Sequence, residues 1–345
     1  MTDIRRVVVN GIDDVVIKEE PSPTAGPGEA LVEPTLVGIC GSDVHAAHGR
    51  HPFVPVPFEP GHEAVGRIVE VGAGVDPARV GTRVIVDPGA HCGHCEQCRS
   101  GRFNICDSVD VFGCLSPGAM TDLFVLQADR LIPIPEDVPD ELAVLTEPMS
   151  TPVHAVGRAG DLTGKRVVVI GAGAIGTFIT ICAIRAGAAA VVVQDMVASK
   201  LDRVTRLGAT AVVDPTSPSA VADVVTALGG KANVVFDTVA NEATTATAIR
   251  SFLVKGGRLM VVGVPARPVM VDLALVQDNE LEIIGNLMFL REDMLAALEI
   301  LRSRPFTIDD IVSGVFDVEA AAAAFHAADA RESVKVLVRM KSESE

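Results

Sequence analysis

Between Arg5 and about Leu131, apolar positions come in short runs rich in Val and Ile, several alternating with polar residues, as in E-A-L-V-E-P, G-R-I-V-E-V-G and T-D-L-F-V-L. Gly and Pro break these runs, and period-two alternation bounded by such breakers predicts an all-β unit. From about Asp161 the texture changes to continuous apolar runs of strand length separated by segments of helix length. Strands buried on both faces read this way, so this part predicts βαβ units on a parallel sheet. The expected strands are 166–171, 190–194, 211–213, 233–237, 258–263 and 281–285, and six of them suit a doubly wound sheet. The expected helices are 174–186, 198–207, 219–228 and 242–254, with Gly187, Gly208 and Gly229 placed as C-terminal caps. A further helix is expected over 292–302, and the Ala-rich run 319–330 reads as an ordinary helix. The tail S-V-K-V-L-V-R-M is a strand that must find a partner elsewhere in the chain.

With 345 residues the chain exceeds what one hydrophobic core usually spans, so two domains are expected. At 48% hydrophobic and 21% charged residues it has the apolar surface to fold as a globular protein. The formal net charge of -16, with no local run of basic residues, disfavours binding to a phosphate backbone. Trp and Tyr are absent, so there is little material for base stacking or an aromatic sugar clamp. The stretch between Arg166 and Arg185 is uncharged and 18 residues long, the lower length for a membrane span. A buried strand, a glycine turn and a helix account for the same composition, and no membrane association is expected. The N-terminus lacks an apolar segment with a small-residue cleavage site, which places the expected location in the cytoplasm.

Four of the seven cysteines crowd together as Cys92, Cys95, Cys98 and Cys106, spaced C-x2-C-x2-C-x7-C. Four thiolates at such range can enclose one tetrahedral Zn²⁺ with no open position, a structural site. His91 and His94 beside them read as exposed loop residues. A zinc-ribbon nucleic-acid module would use the same four ligands, but the acidic balance argues against it. The pattern G-A-G-A-I-G, Gly171 to Gly176, follows the strand R-V-V-V-I and opens a helix, the context in which backbone approaches a pyrophosphate at a helix N-terminus. Nineteen residues after Gly176, at the end of the next apolar run, stands Asp195. A carboxylate there accepts hydrogen bonds from ribose hydroxyls and repels a 2′-phosphate, favouring NAD over NADP. Cys40 in G-I-C-G-S-D-V-H, His62 and Glu63 in G-H-E, and Glu147 in T-E-P-M-S-T each have an ordinary reading alone. Together, a thiolate, an imidazole and a carboxylate suit a Zn²⁺ with one position open to substrate, a catalytic metal.

The ordered set G-I-C-G-S-D, G-H-E, the four-cysteine lobe, E-P-M-S-T and G-A-G-A-I-G resembles, over essentially the whole chain, the zinc-containing medium-chain dehydrogenases/reductases of the alcohol dehydrogenase superfamily. The resemblance implies an α/β chain of two domains: a GroES-like β-rich catalytic domain over 1–150, completed by 286–345, and a Rossmann NAD-binding domain over 151–285. It implies two zinc ions per chain and NAD as cofactor. Glu147 stands where the typical alcohol dehydrogenases have Cys, which is similar to the polyol, butanediol and threonine dehydrogenases. In that subgroup Glu63 also approaches the metal, so which of Glu63 and Glu147 ligates it stays open. By the same resemblance Asp43 holds the second nitrogen of His62, Ser42 begins a proton relay and His45 ends it. Thr151 and Ile175 pack on the nicotinamide, with Gly171, Gly173 and Gly176 at the cofactor turn, and Lys335 reaches the pyrophosphate; an exposed strand residue is the plain alternative for that lysine. Cys114 and Cys182 read as structural.

The implied reaction is hydride transfer between NAD and a secondary alcohol, with a polyol, cyclitol or vicinal diol ranked first and an L-threonine-like amino alcohol second. A member that binds NAD and zinc without catalysis is the reading from another class; intact Cys40, His62, Glu147 and Ser42 argue against it. Phe53, Phe112 and Phe289 are the pocket candidates by loop position. Relatives join Rossmann sheets through the edge near 281–287, so a homodimer or homotetramer is expected.

Overall fold

Six strands, all paired in parallel, make one sheet whose spatial order is Ala211–Val213, Ala190–Gln194, Arg166–Ile170, Ala232–Asp237, Leu253–Val261 and Glu282–Gly285. Numbered along the chain this is 3-2-1-4-5-6, so the order reverses beside Arg166–Ile170, the point at which a doubly wound sheet opens a crevice for ligands. Val167, Val168 and Val169, like Val191, Val192 and Val193, are no more than 1% exposed, as both-face burial requires. The helices Ala174–Arg185, Ala198–Arg206 and Ala220–Leu228 connect the strands. The structure is a computed structural model and describes residues 3–341; these fall into two compact units, Met149–Phe289 and the residues before and after it.

One element departs from the expected pattern. Helix Glu242–Thr247 does not run on to 254: it widens into a π-helical turn, Ala248–Phe252, and the strand begins at Leu253. The sequence K-G-G at 255–257 reads as a break before a strand, but Leu253 already pairs with Ala232, and the register shifts before Val234 meets Arg258. Burying Ile249, Phe252 and Leu253 together, at 3%, 0% and 3% exposure, outweighs the poor strand character of the glycines.

The other unit is built on an antiparallel sheet. Glu29–Ile39 lies at its centre, flanked by Glu63–Val71 on one side and by Lys335–Arg339 and Phe124–Gln127 on the other strand partners' edges. The tail strand thus finds its partner: Val336 faces Ile39 and Val338 faces Val37, with Val312–Asp317 added in parallel beyond it. Phe112 belongs to the core of this unit, with its ring 5.2 Å from that of Phe124. Of the three pocket candidates, Phe112 and Phe289 are buried and Phe53 is 72% exposed. Among the described residues no helix is long and apolar enough to cross a membrane, and the uncharged stretch from Arg166 divides into a five-residue strand and a twelve-residue helix.

Candidate active site and metal centres

The four-cysteine loop folds around its own sulfurs. Helix Glu96–Arg99 and the 3-10 turn Phe103–Ile105 bring Cys92, Cys95, Cys98 and Cys106 together with all four Sγ atoms within 4.8 Å of one another. The pairs Cys92–Cys98 and Cys95–Cys106 are each 3.9 Å apart, close to the edge of about 3.8 Å that a tetrahedron of Zn–S bonds requires and far beyond a disulfide. Backbone N–H groups point at the sulfurs: Cys95 donates to Cys92 Sγ, Cys98 to Cys95 Sγ and Ser108 to Cys106 Sγ. The N–H groups of His94 and Cys95 lower the Cys92 thiol to about 6, whereas burial pushes Cys98 up to about 12. His94 turns its ring to the Cys92 carbonyl, and His91 stacks on Phe103, so neither joins the sulfur cluster.

The second centre is assembled by strand ends. Cys40 leaves strand Glu29–Ile39 and caps helix Gly41–Ala47; Glu63 opens strand Glu63–Val71, with His62 just before it. The register pairs Glu63 with Gly38, and a Cβ at Gly38 would overlap Glu63 Oε2, so the glycine of G-I-C-G leaves the space in which this carboxylate lies. Ligand atoms of Cys40, His62 and Glu63 come within 4.8 Å of one another in buried surroundings. Lys335, the first residue of the tail strand, is 3% exposed and not a surface residue: its Nζ donates to both oxygens of Glu63, at 2.5 and 2.6 Å, and to the Ile39 carbonyl at 3.1 Å. Burial alone would lower this ammonium; the charges of Glu63 and Cys40 outweigh it and hold it above the usual lysine value. Within its own unit this ammonium has the Glu63 carboxylate as its anion. A buried ammonium demands an anion within reach.

Asp43, on the first turn of helix Gly41–Ala47, accepts the Cys40 N–H on Oδ2 at 2.9 Å and sets Oδ1 3.5 Å from His62 Nδ1. Burial raises its carboxyl, against the pull of His62. Ser42 is half-buried and His45 exposed on the same short helix, three residues apart and hence on one face. Glu147 begins helix Thr146–Arg158. Burial lifts its carboxyl to about 8; the charge of Glu63 adds to this while that of His62 opposes it. Cys40, His62 and Glu63 form one close group and Asp43, His62 and Cys114 a second that shares the imidazole, with Glu147 in neither, and the buried Asp43 Oδ1 has no hydrogen-bond partner. A soft and hard mixed set of this kind, with more negative charge than Lys335 balances, fits a Zn²⁺.

In the Rossmann unit the glycine turn has the tightness that a dinucleotide needs. Any Cβ at Gly176 would overlap the carbonyl oxygen of Gly171, so the helix starts directly against the strand end. Asp195 lies at the end of the neighbouring strand and is held by two backbone donors, Ala172 N–H to Oδ2 at 2.7 Å and Val197 N–H to Oδ1 at 2.9 Å. Both oxygens keep further lone pairs. Ile175 and Thr151 are half-buried. One residue went unnoticed in the sequence as a site residue: Cys114, whose Sγ lies 3.5 Å from His62 Nδ1. No motif surrounds it, and 52 positions separate the two.

Known proteins share this arrangement. Residues 26–136 match the alcohol dehydrogenase GroES-like domain, and residues 174–303 match the zinc-binding dehydrogenase family. A sorbitol dehydrogenase of Gallus gallus is 34% identical over 96% of this chain and 95% of its own length. A protein of Escherichia coli CFT073 described as a short chain alcohol dehydrogenase, solved with NADH, superposes with a TM-score of 0.91 at 27% identity, covering 99% of this chain and all of the other. A zinc-binding dehydrogenase fold from Sinorhizobium meliloti 1021, bound to NADP, gives 0.91 at 26% identity over 99% and 100%. A GroES-like half that gathers the thiol, imidazole and carboxylates, and a Rossmann half that carries the glycine turn, leave one conclusion: the chain belongs to the zinc-containing medium-chain dehydrogenases of the alcohol dehydrogenase superfamily.

Proposed function

We propose that this protein oxidises a secondary alcohol, a polyol, cyclitol or vicinal diol, with NAD as hydride acceptor and two zinc ions per chain. The observation that carries the reading is the buried convergence of Cys40, His62 and Glu63. Cys40, His62 and Glu147 would hold the catalytic metal with Glu63 near it, and Cys92, Cys95, Cys98 and Cys106 the structural one. When bound, the catalytic zinc supplies Lewis acidity toward the substrate hydroxyl and the nicotinamide accepts the hydride. The chain's own residues do the rest. Asp43 orients the imidazole through Nδ1. Ser42 accepts the substrate hydroxyl proton as it passes its own proton on, and His45, exposed one turn along the same helix face, hands a proton to solvent. The turn at Gly171, Gly173 and Gly176 receives the pyrophosphate, Asp195 the adenosine ribose, and Thr151 and Ile175 the nicotinamide. Lys335 steadies Glu63. The reading extends to a cytoplasmic homodimer or homotetramer; the outer edge of Glu282–Gly285, with Ile283 and Leu287 exposed, supports self-assembly.

A panel of sugars, inositols, diols and amino alcohols, followed by NADH absorbance, tests the reaction. Activity confined to amino alcohols would replace the polyol reading, and no turnover with metal-loaded protein would defeat it. The ligand set is tested by comparing Glu147→Gln with Glu63→Gln, counting zinc in each. Glu147→Gln is expected to lose one zinc and most of kcat while the four-cysteine zinc persists. Full zinc in Glu147→Gln with loss in Glu63→Gln would reverse the assignment. Replacing Asp195 with Ser removes the ribose acceptor and the repulsion of a 2′-phosphate, so the preference in kcat/KM for NAD over NADP is expected to fall by about tenfold or more. An unchanged ratio would show that Asp195 serves only to brace the turn through Ala172 and Val197.

A further inference from the structure

The imidazole of His62 is held from behind by two side chains. Nδ1 stands 3.5 Å from Asp43 Oδ1 and 3.5 Å from Cys114 Sγ, and ligand atoms of all three residues lie within 4.8 Å of one another. Asp43 cannot do this alone with full strength. Its Oδ2 is engaged by the Cys40 N–H, its Oδ1 has no hydrogen-bond partner, and 3.5 Å is long for an N–H···O bond. A thiol is a weak donor and a weak acceptor, so Sγ can accept from Nδ1–H or offer its own proton to the orphaned oxygen.

The loop that carries Cys114 is fixed against the histidine strand by backbone. Gly118 donates to the Glu59 carbonyl at 3.1 Å, Ala119 to Gly61 at 2.9 Å and Met120 to Pro60 at 3.2 Å; within the loop, Cys114 N–H donates to Val111 and Gly113 N–H to Ser116. Cys114 also lines a pocket of about 220 Å³ together with Pro57, Phe58, Leu115 and Pro117. The main chain of the loop sets the position of the residue, which also packs against the core of this unit.

We propose that Cys114 is a positioning residue for the metal centre: it shares the Nδ1 face of His62 with Asp43, fixes the ring, and so leaves Nε2 committed to the metal. The inference rests on the reading of His62 as a metal ligand. Groups that hold the outer nitrogen of a ligating histidine typically change metal affinity by about 10–100-fold when removed. For a weakly bonding thiol the lower end applies.

The test uses the purified full chain loaded with zinc or with Co²⁺, and a competing chelator. In Cys114→Ala, one metal is expected to leave about tenfold faster than in the parent, while the metal of the four-cysteine lobe leaves at the parent rate. The visible bands of the Co²⁺ protein at the open site are expected to shift. Cys114→Ser, which restores a donor and acceptor of similar size, is expected to recover most of the parent behaviour. Parent release rates and an unchanged Co²⁺ spectrum in Cys114→Ala would overturn the proposal. So would an equal loss in the Ala and Ser variants accompanied by a fall in the unfolding midpoint, which is the signature of packing alone. His62→Ala run in parallel separates the two levels: if it retains both metals, the ligand reading itself fails, whereas metal loss there with none in Cys114→Ala defeats only the role of Cys114.

Discussion

His62→Ala is expected to lower kcat/KM by about 10³-fold or more, because under the proposed function it removes a ligand of the metal that would supply several kcal/mol of charge stabilisation at the reacting oxygen. The variant should bind one zinc per chain in place of two. It should keep its secondary structure, since His62 lies in a buried corner already closed by the backbone bonds of Gly61 with Ala119 and Pro60 with Met120. Cys40→Ser should behave alike, through loss of the soft ligand at the head of helix Gly41–Ala47. The four-cysteine lobe is the internal reference for both. Near-parent turnover in the His62 variant with full zinc would remove the catalytic metal from the mechanism, and simultaneous loss of both zincs would show that the two centres are not independent.

Lys335→Met is expected to destabilise the catalytic unit by about 3–5 kcal/mol, because it strands the buried Glu63 carboxylate without its partner. The two side chains are 3% and 1% exposed, and both carboxylate oxygens lie within hydrogen-bond distance of the ammonium. A surface pair would be worth about 1 kcal/mol or less, so the size of the effect tells the two situations apart. Denaturant midpoints of Lys335→Met, Glu63→Gln and the double variant form the cycle that isolates the pair. The double variant should recover much of the loss, since a neutral amide facing an apolar side chain leaves no buried charge. Additive effects of the single changes would mean that the ion pair is incidental. A loss confined to NAD binding, with parent stability, would return Lys335 to the pyrophosphate.

What could be read along the chain was whatever repeats at short range. Both-face burial writes V-V-V-I and A-V-V-V-Q as unbroken apolar runs, and the parallel sheet follows from them. The spacing of Cys92, Cys95, Cys98 and Cys106 is a local property, because one short loop supplies all four thiols, and the structure brings the sulfurs of two pairs to 3.9 Å. The turn from Gly171 to Gly176 is local in the same sense. Where a local signal competed with packing, packing prevailed: K-G-G at 255–257 reads as a stop, yet burial of Ile249, Phe252 and Leu253 carries the strand back to Leu253.

The second centre is of another kind. Cys40, His62, Glu63 and Glu147 stand in separate short motifs, and the meeting of Cys40, His62 and Glu63 depends on which strands lie side by side, which nothing periodic in the chain encodes. Lys335 shows the difference most directly. In the sequence it is a lysine in an apolar tail; in the fold it opens a strand that pairs with Leu36–Ile39, and that register alone brings its ammonium to Glu63, 272 residues away. Cys114 reaches His62 in the same manner, through a loop whose hydrogen bonds run to the backbone of residues 59–61. The sequence by itself determined most of the elements, the four-cysteine cluster and the glycine turn, since each is complete within a few tens of residues. Only the tertiary structure decided which buried charges face one another, because a charge taken out of water is stabilised by whatever the fold sets beside it and not by its neighbours along the chain.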